Sequence, residues 1–282
     1  MDAPYALPET AAPGVVRVLA RNPSPFTFTG TQTFLVGDDA LVVIDPGPDD
    51  ADHVEAIVMA AGGRPIAAIA CTHTHRDHSP AAALLKAATG APIVGCAALS
   101  LAAAGPRADA AFDGDYAPDR VLGDGDAIAL GGGAELVAVA TPGHTSNHLC
   151  FAYGDILFTG DHVMGWSTTV VVPPDGDMGA YMASLEKLRA RDDRLFLPAH
   201  GPAVTKPAQY LRGLIGHRMQ RARQILRLVG EGVAEVPGIV AAAYPGLDPR
   251  LVPAAGGSVS AHLVDLERRG LVQCVDERWT TL

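Results

Sequence analysis

The stretch Cys71-Thr-His-Thr-His-Arg-Asp-His78 decides how the chain is interpreted. Four potential metal ligands fall within six residues of it, and they are His73, His75, Asp77 and His78. The run before it, 65–71, is short, apolar and partly β-branched, which predicts a buried strand. Ser79-Pro80 and the helix formers that follow predict a helix with Ser79 as its N-cap. The cluster is therefore predicted in a strand-to-helix loop, where open sheets place their chemistry.

The composition predicts a soluble protein with a substantial core. Of the 282 residues, 48% are hydrophobic and 18% are charged, which suits one large domain alone or with a small second domain. The formal net charge of −10 argues against a general binder of nucleic acid or of anionic membranes. The four cysteines form no CxxC pair, a pattern typical of a reducing compartment. Because we find no signal peptide and no apolar run long enough to cross a membrane, we expect a cytoplasmic protein.

The chain divides into two regions near residue 205. Residues 1–205 carry a net charge of −13, whereas residues 206–282 hold ten basic and seven acidic side chains, a net charge of +3. Before the central motif, a Pro- and Ala-rich arm over 1–14 is followed by predicted strands at 15–20, 26–29, 33–36 and 41–44. Residues 100–126, with six aspartates, predict a solvated loop. The last region predicts a winged-helix-like order, with helices at 208–230, 236–243 and 258–269 and a hairpin at 271–282.

Three later strands end in further candidate ligands. His144 closes Thr141-Pro-Gly-His144, Asp161 follows Gly160, and His200 follows Ala199. Each comes after an apolar strand and a turn rich in Gly or Pro, and Asp45-Pro46 ends an earlier strand in the same way. If these strands run into one edge, seven imidazole and carboxylate groups converge there. Such a set predicts a metal centre.

Residues 15–205 resemble the metallo-β-lactamase superfamily. The motifs that carry the resemblance are Thr72–His78, Pro142-Gly-His144, Gly160-Asp161 and Ala199-His200-Gly201. The resemblance implies an α/β fold, a four-layer αββα sandwich over 1–205, with a small winged-helix-like domain over 206–282. Three further stretches are similar to the β-lactamase-like subgroup with a C-terminal winged helix, namely 160–168, 173–176 and 181–185.

The resemblance also implies a dinuclear site with a defined distribution of ligands. One ion would be held by His73, His75 and His144, the other by Asp77, His78 and His200, and Asp161 would bridge them. A ligand set of imidazole and carboxylate groups, with no thiolate, suits two Zn²⁺ ions, with Mn²⁺ or Fe as alternatives. Two ions about 3.5–4 Å apart can share a hydroxide, because the pKa of the bound water falls to about 7. Asp77 is predicted to be the catalytic residue that orients this hydroxide.

The leading functional hypothesis is a hydrolase of a small ester, thioester, lactone or lactam. The alternative is an endonuclease that cleaves single-stranded RNA or DNA at the same site, since the winged-helix subgroup includes members that cleave RNA. A DNA-binding module with a metal-sensing partner is a third hypothesis. Redox members of the superfamily, such as diiron oxygen reductases and mononuclear persulfide oxygenases, are a fourth.

Several residues outside the ligand set have predicted roles. Met164 and Trp166 are expected to contact the substrate, because they follow Asp161 closely. His148, four residues after His144, is expected either to contact the substrate or to support the ligands from behind. The arginines of 208–230 are expected to form a solvated helix face or a subunit contact, which makes a homodimer the candidate assembly. The remaining histidines without a partner motif are expected to be structural, and they are His53, His217 and His262.

Overall fold

The computed structural model describes residues 4–99 and 112–282, which form two large sheets. The first sheet has seven strands in chain order: β1 (Glu9–Ala12), β2 (Val15–Leu19), β3 (Gln32–Val36), β4 (Leu41–Ile44), β5 (Ile66–Cys71), β6 (Ile93–Gly95) and β7 (Arg120–Val121). The second has the order β12-β11-β10-β9-β8, from β8 (Ala127–Gly131), β9 (Ala134–Ala140), β10 (Leu149–Tyr153), β11 (Ile156–Gly160) and β12 (Leu195–Pro198). Parallel pairing runs from β4 to β7 and between β11 and β12, so these strands end at a common edge.

The two sheets pack face to face, with helices on their outer faces. In the second sheet, Phe151, Phe158 and Leu197 belong to the core that the two sheets share. The residues that alternate with them pack against α3 (Met178–Arg189) and the first half of α4 (Pro207–Gly230). On the first sheet, α1 (Ala51–Ala61) contacts β2 and β3, while α2 (Ala81–Thr89) contacts β5 and β6. This is the αββα order of the sequence prediction, which is confirmed.

The C-terminal region has its own small core. It comprises α5 (Val236–Ala243), a short 3₁₀ helix (Pro249–Leu251), α6 (Val252–Arg268) and the hairpin β13 (Val272–Val275) and β14 (Arg278–Thr281). The second half of α4 joins this core, whereas its first half packs on the sandwich. Because α4 belongs to both cores, the boundary at residue 205 stays a prediction. Among the described residues no helix is long and apolar enough to cross a membrane.

Four local predictions differ from the structure. The arm at 1–14 contains β1, which pairs with β2; its Ala-rich sequence has low strand propensity and gave no pattern. Residues 26–29 form turns instead of a strand, with Phe28 at a positive φ of 57°. Ser79 does not cap α2, since its hydroxyl donates to Asp113 Oδ2 at 2.7 Å and Pro80 occupies the N-cap. The loop at 100–126 includes β7, and its Asp109 lies outside the described residues.

The packing of α1 on β3 makes folding sensitive to acid. His53 of α1 is buried, and its Nε2 lies 2.9 Å from Thr33 Oγ1. Burial lowers the pKa of His53 from 6.5 to about 4, although Asp50 acts in the opposite direction. The unfolded chain therefore takes up a proton first as the pH falls from 6.5 towards 4, and stability is lost across that window.

We expect His53→Gln to reduce this acid sensitivity, because glutamine does not titrate. Between pH 7 and pH 5 the wild type should lose about 2 kcal/mol more of its free energy of unfolding than the variant does. Urea titrations of both proteins at the two pH values measure the difference. Equal losses in the two proteins would contradict a buried neutral His53.

Candidate metal centre

The seven predicted ligands lie together where four strands end. The segment after β5 supplies four of them, and the turns after β9, β11 and β12 supply His144, Asp161 and His200. They form two groups in which the ligand atoms lie within 4.8 Å of one another: His73, His75, His144 and Asp161, and Asp77, His78 and His200. All are buried except Asp77, which is partly exposed. The sandwich therefore brings together side chains from distant parts of the sequence.

The ring nitrogen atoms of the three histidines in the first group converge on one point. His73 Nε2 and His144 Nε2 lie 3.0 and 3.1 Å from His75 Nδ1. His144 Nδ1 donates to the Val170 carbonyl at 2.6 Å, so its proton is on Nδ1 and its Nε2 is free to bind an ion. His73 Nδ1 lies 2.9 Å from Thr72 Oγ1, whose own proton goes to a carboxylate, so His73 has the same tautomer. Burial, and then the neighbouring histidines, lower the pKa of His73 well below its usual range.

The second group is built around the carboxylate of Asp77. Asp77 Oδ2 lies 3.1 Å from His200 Nε2 and 3.3 Å from His78 Nε2. The Nδ1 atoms of the two histidines donate outward, His200 to the Gly30 carbonyl at 3.3 Å and His78 to Asp45 Oδ2 at 2.9 Å. Both Nε2 atoms therefore face the site. Burial opposes ionisation of Asp77, but His78 and His200 hold its pKa well below its usual range.

Asp161 lies between the two groups. Its Oδ1 is 3.2 Å from His200 Nε2 and 3.6 Å from His78 Nε2, whereas its Oδ2 is 3.7 Å from His144 Nε2. One carboxylate oxygen thus faces each group. Burial opposes its charge as well, yet His200 and His78 lower the pKa of Asp161.

These residues fit a site for divalent metal ions. His78 Nε2 and Asp161 Oδ1 are fully buried and form no hydrogen bond within the described part of the chain, which is costly without a further partner. Burial disfavours protonation of His78 and His200, but the adjacent aspartates raise the pKa of both. A bound cation would satisfy the same carboxylates and displace these protons. Imidazole and carboxylate donors suit Zn²⁺, Mn²⁺ or Fe.

Asp45 supports both groups from behind. It is buried at the end of β4, and its carboxylate accepts hydrogen bonds from Thr72 N at 2.8 Å, Thr72 Oγ1 at 2.8 Å and His78 Nδ1 at 2.9 Å. It holds His78 directly and His73 through the Thr72 hydroxyl. Such outer partners fix the orientation of metal-binding histidines.

Asp45→Asn should weaken metal binding about 10- to 100-fold, because an amide has one acceptor oxygen and cannot accept all three hydrogen bonds. Competition with a chromophoric chelator measures the affinity. Asp49→Asn changes an exposed carboxylate four positions further along and should leave it unchanged. Equal affinities in the two variants would contradict the role of Asp45.

Of the two positions predicted for His148, the geometry corresponds to the one behind the candidate ligands. His148 is buried, its Nε2 accepts from Asp161 N at 3.2 Å, and its Nδ1 lies 2.9 Å from Thr141 Oγ1. Its ring packs behind His73, with the ring centroids 5.1 Å apart. His148 is absent from the lining of the cavity described next, so the geometry gives it a supporting position behind the ligands.

A cavity of about 290 Å³ opens over the ligands. Met164 and Trp166 line it, as do the candidate ligands His75, Asp77, His144, Asp161 and His200. The segments 25–26 and 167–170 contribute further lining residues, and α4 and the C-terminal region supply another part of the wall, including Arg218, Arg221, Tyr244, Leu247, Leu251 and Ala254. The prediction that the arginines of 208–230 form a solvated face or subunit contact is therefore wrong for Arg218, which is buried. His217, expected to be structural, also lines the cavity.

Comparisons with known proteins agree with this architecture. Residues 26–200 match the Metallo-beta-lactamase superfamily, and residues 236–279 match the Beta-lactamase associated winged helix domain. A Beta-lactamase-like protein 2 homolog of Drosophila melanogaster is 30% identical over 273 residues, which cover 91% of this chain and 88% of that protein. An Atrochrysone carboxyl ACP thioesterase of Aspergillus chevalieri is 34% identical over 229 residues, 78% of this chain and 67% of that protein.

A solved structure supports the fold over the full length. The beta-lactamase domain protein from Burkholderia ambifaria superposes with a TM-score of 0.83 at 22% identity, covering 99% of this chain and 94% of that one. The predicted C-terminal winged-helix domain is thereby confirmed along with the sandwich. The chain belongs to the metallo-beta-lactamase superfamily, as a hydrolase that carries the associated winged helix domain.

Proposed function

We propose that this protein is a dinuclear metal-dependent hydrolase of small thioesters, within the wider class of esters, thioesters, lactones and lactams. The observation that carries the proposal is the position of Asp161 between two groups of ligands, with one oxygen towards each. Two divalent ions, most simply Zn²⁺, would polarise the substrate carbonyl and supply a hydroxide nucleophile at neutral pH.

The residues around the site have separate tasks in this proposal. Asp77 is ionised and lines the cavity, so it can accept a hydrogen bond from the attacking nucleophile and orient it. The apolar part of the wall, which includes Met164, Trp166 and Leu247, excludes water and holds an acyl chain. His148 and Asp45 keep the ligands in place from behind.

The leaving group favours a thioester over an alkyl ester or an amide. The carboxyl groups that line the cavity, within the described residues, are Asp77 and Asp161, and the pKa of each is lowered. Neither is therefore a source of protons for the leaving group. A thiol with a pKa of about 8.5 departs as a thiolate without an acid, which an alkoxide or amide anion does far less readily. The thioesterase named among the relatives supports the same substrate class.

A side-by-side assay tests the proposal. Purified, metal-replete protein should hydrolyse acyl N-acetylcysteamine thioesters faster than a lactone, a lactam or a single-stranded RNA oligomer. The activity should disappear with a chelator and return when Zn²⁺ is restored. Cleavage of the RNA without turnover of any thioester would favour the endonuclease alternative and overturn the proposal.

A further inference from the structure

Arg218 is a buried cation without a counter-ion. It lies on α4 with only 3% of its surface exposed. One of its Nη atoms donates to the Thr169 carbonyl, and its Nε is buried without a hydrogen-bond partner. No carboxylate forms an ion pair with it in the parts of the chain at 4–99 and 112–282. Arginine is rarely buried unless it is paired, because removing a charge from water is costly.

Within the described residues, the side-chain contacts of Arg218 are with neutral groups. Its guanidinium lies 5.1 Å from the Tyr181 ring centroid, which offers only a cation–π contact. Arg221, one turn further along α4, donates to Gln224 and to the Ala243 carbonyl and lies over the Tyr244 ring. Two guanidinium groups thus face one cavity.

The same segment holds Arg218 and the metal ligands. The Thr169 carbonyl accepts from Arg218, and the next carbonyl, that of Val170, accepts from His144 Nδ1 at 2.6 Å. The Thr169 hydroxyl donates to the Asp161 carbonyl at 2.6 Å. Because Arg218, His144 and Asp161 all line the cavity, one small molecule can contact all three.

We propose that Arg218 binds a carboxylate of the substrate, so that the preferred thioester carries a carboxylate on its acyl chain. This inference rests on the proposed function of the site. A planar guanidinium matches a carboxylate in geometry and in charge, and the bound anion would neutralise the buried cation. The apolar wall from Leu247, Leu251 and Ala254 would hold the methylene groups between the two ends.

The kinetic test uses the full-length, metal-replete protein and matched substrates. Succinyl, glutaryl and adipyl N-acetylcysteamine thioesters are compared with the analogues in which the free carboxylate is a carboxamide. In the wild type, kcat/KM should be roughly 10- to 100-fold higher for the best carboxylate than for its amide. Arg218→Met should abolish this preference, and Arg218→Lys should restore part of it. Arg212→Met removes an exposed charge from the same helix and should leave the preference intact.

An equilibrium binding measurement tests the carboxylate subsite at Arg218 independently of hydrolytic activity. Calorimetry on the same proteins compares linear dicarboxylates of four to eight carbons with monocarboxylates of equal length, which needs no turnover. A dicarboxylate advantage that vanishes in Arg218→Met would support the subsite, even if no thioester is hydrolysed and the proposed function falls. A wild type with no preference for the second carboxylate in either measurement would overturn the subsite, whether or not the variants fold.

Discussion

Asp77→Ala should lower kcat/KM for thioester hydrolysis by about 10³-fold or more while leaving the fold intact. The substitution removes the carboxylate that lies 3.1 Å from His200 Nε2 and 3.3 Å from His78 Nε2. It thus takes away both a proposed ligand of the second group and the acceptor that would orient the nucleophile. The side chain is 22% exposed and faces the cavity, so its loss creates little strain in the core. Steady-state kinetics and circular dichroism measure the two outcomes.

The control for Asp77 is a carboxylate away from the site. Asp52→Ala removes an exposed charge in the first turn of α1 and should retain wild-type activity. Metal analysis of Asp77→Ala then separates its two roles. If the variant keeps its metal and loses activity, orientation of the nucleophile dominates. Turnover close to that of the wild type in a folded Asp77→Ala would show that neither role exists.

The sequence predicted that the seven candidate ligands lie together, because strands and turns are encoded by local sequence. His144 illustrates this, since it follows Gly143, which has a φ of 139° and approaches the Tyr181 backbone so closely that a Cβ would lie 2.3 Å from its Cα. Only glycine fits such a turn, so the Pro-Gly-His motif reports a real geometric constraint. Placing a ligand at the end of an apolar strand then needs no knowledge of distant contacts.

The roles of some side chains could not be predicted, because they depend on tertiary contacts that the local sequence does not encode. The rule that polar helix residues face solvent places Arg218 outside, but Arg218 lies on the buried face of α4, whereas its neighbours His217 and Met219 are exposed. Asp45 was placed near the edge, yet its bonds to Thr72 and His78 join elements about 30 residues apart. For His148, both a position behind the site and one facing the cavity were open from the sequence, and the packing places it behind the site.

Asp161→Asn should reduce the metal content from two ions per chain to one or none, with a loss of hydrolysis comparable to that of Asp77→Ala. The wild-type carboxylate directs Oδ1 towards His78 and His200 and Oδ2 towards His144. An amide keeps the shape but replaces one donor oxygen by an NH₂ group, which cannot bind a cation. It also removes the negative charge that two adjacent cations need between them. Elemental analysis and native mass spectrometry after metal-replete purification count the ions.

Asp175→Asn is the matched control for Asp161→Asn. Asp175 is buried to a similar degree, at 7% exposure against 9%, but its carboxylate accepts from the Ser146 backbone and hydroxyl and binds no metal in this assignment. The Asp175→Asn variant should keep two ions per chain. This result would show that a buried neutral amide does not by itself reduce the metal content. A wild type that holds one ion would contradict the dinuclear assignment. An Asp161→Asn variant that holds two ions and remains active would instead contradict the bridge, because each group would then bind its ion without the shared carboxylate.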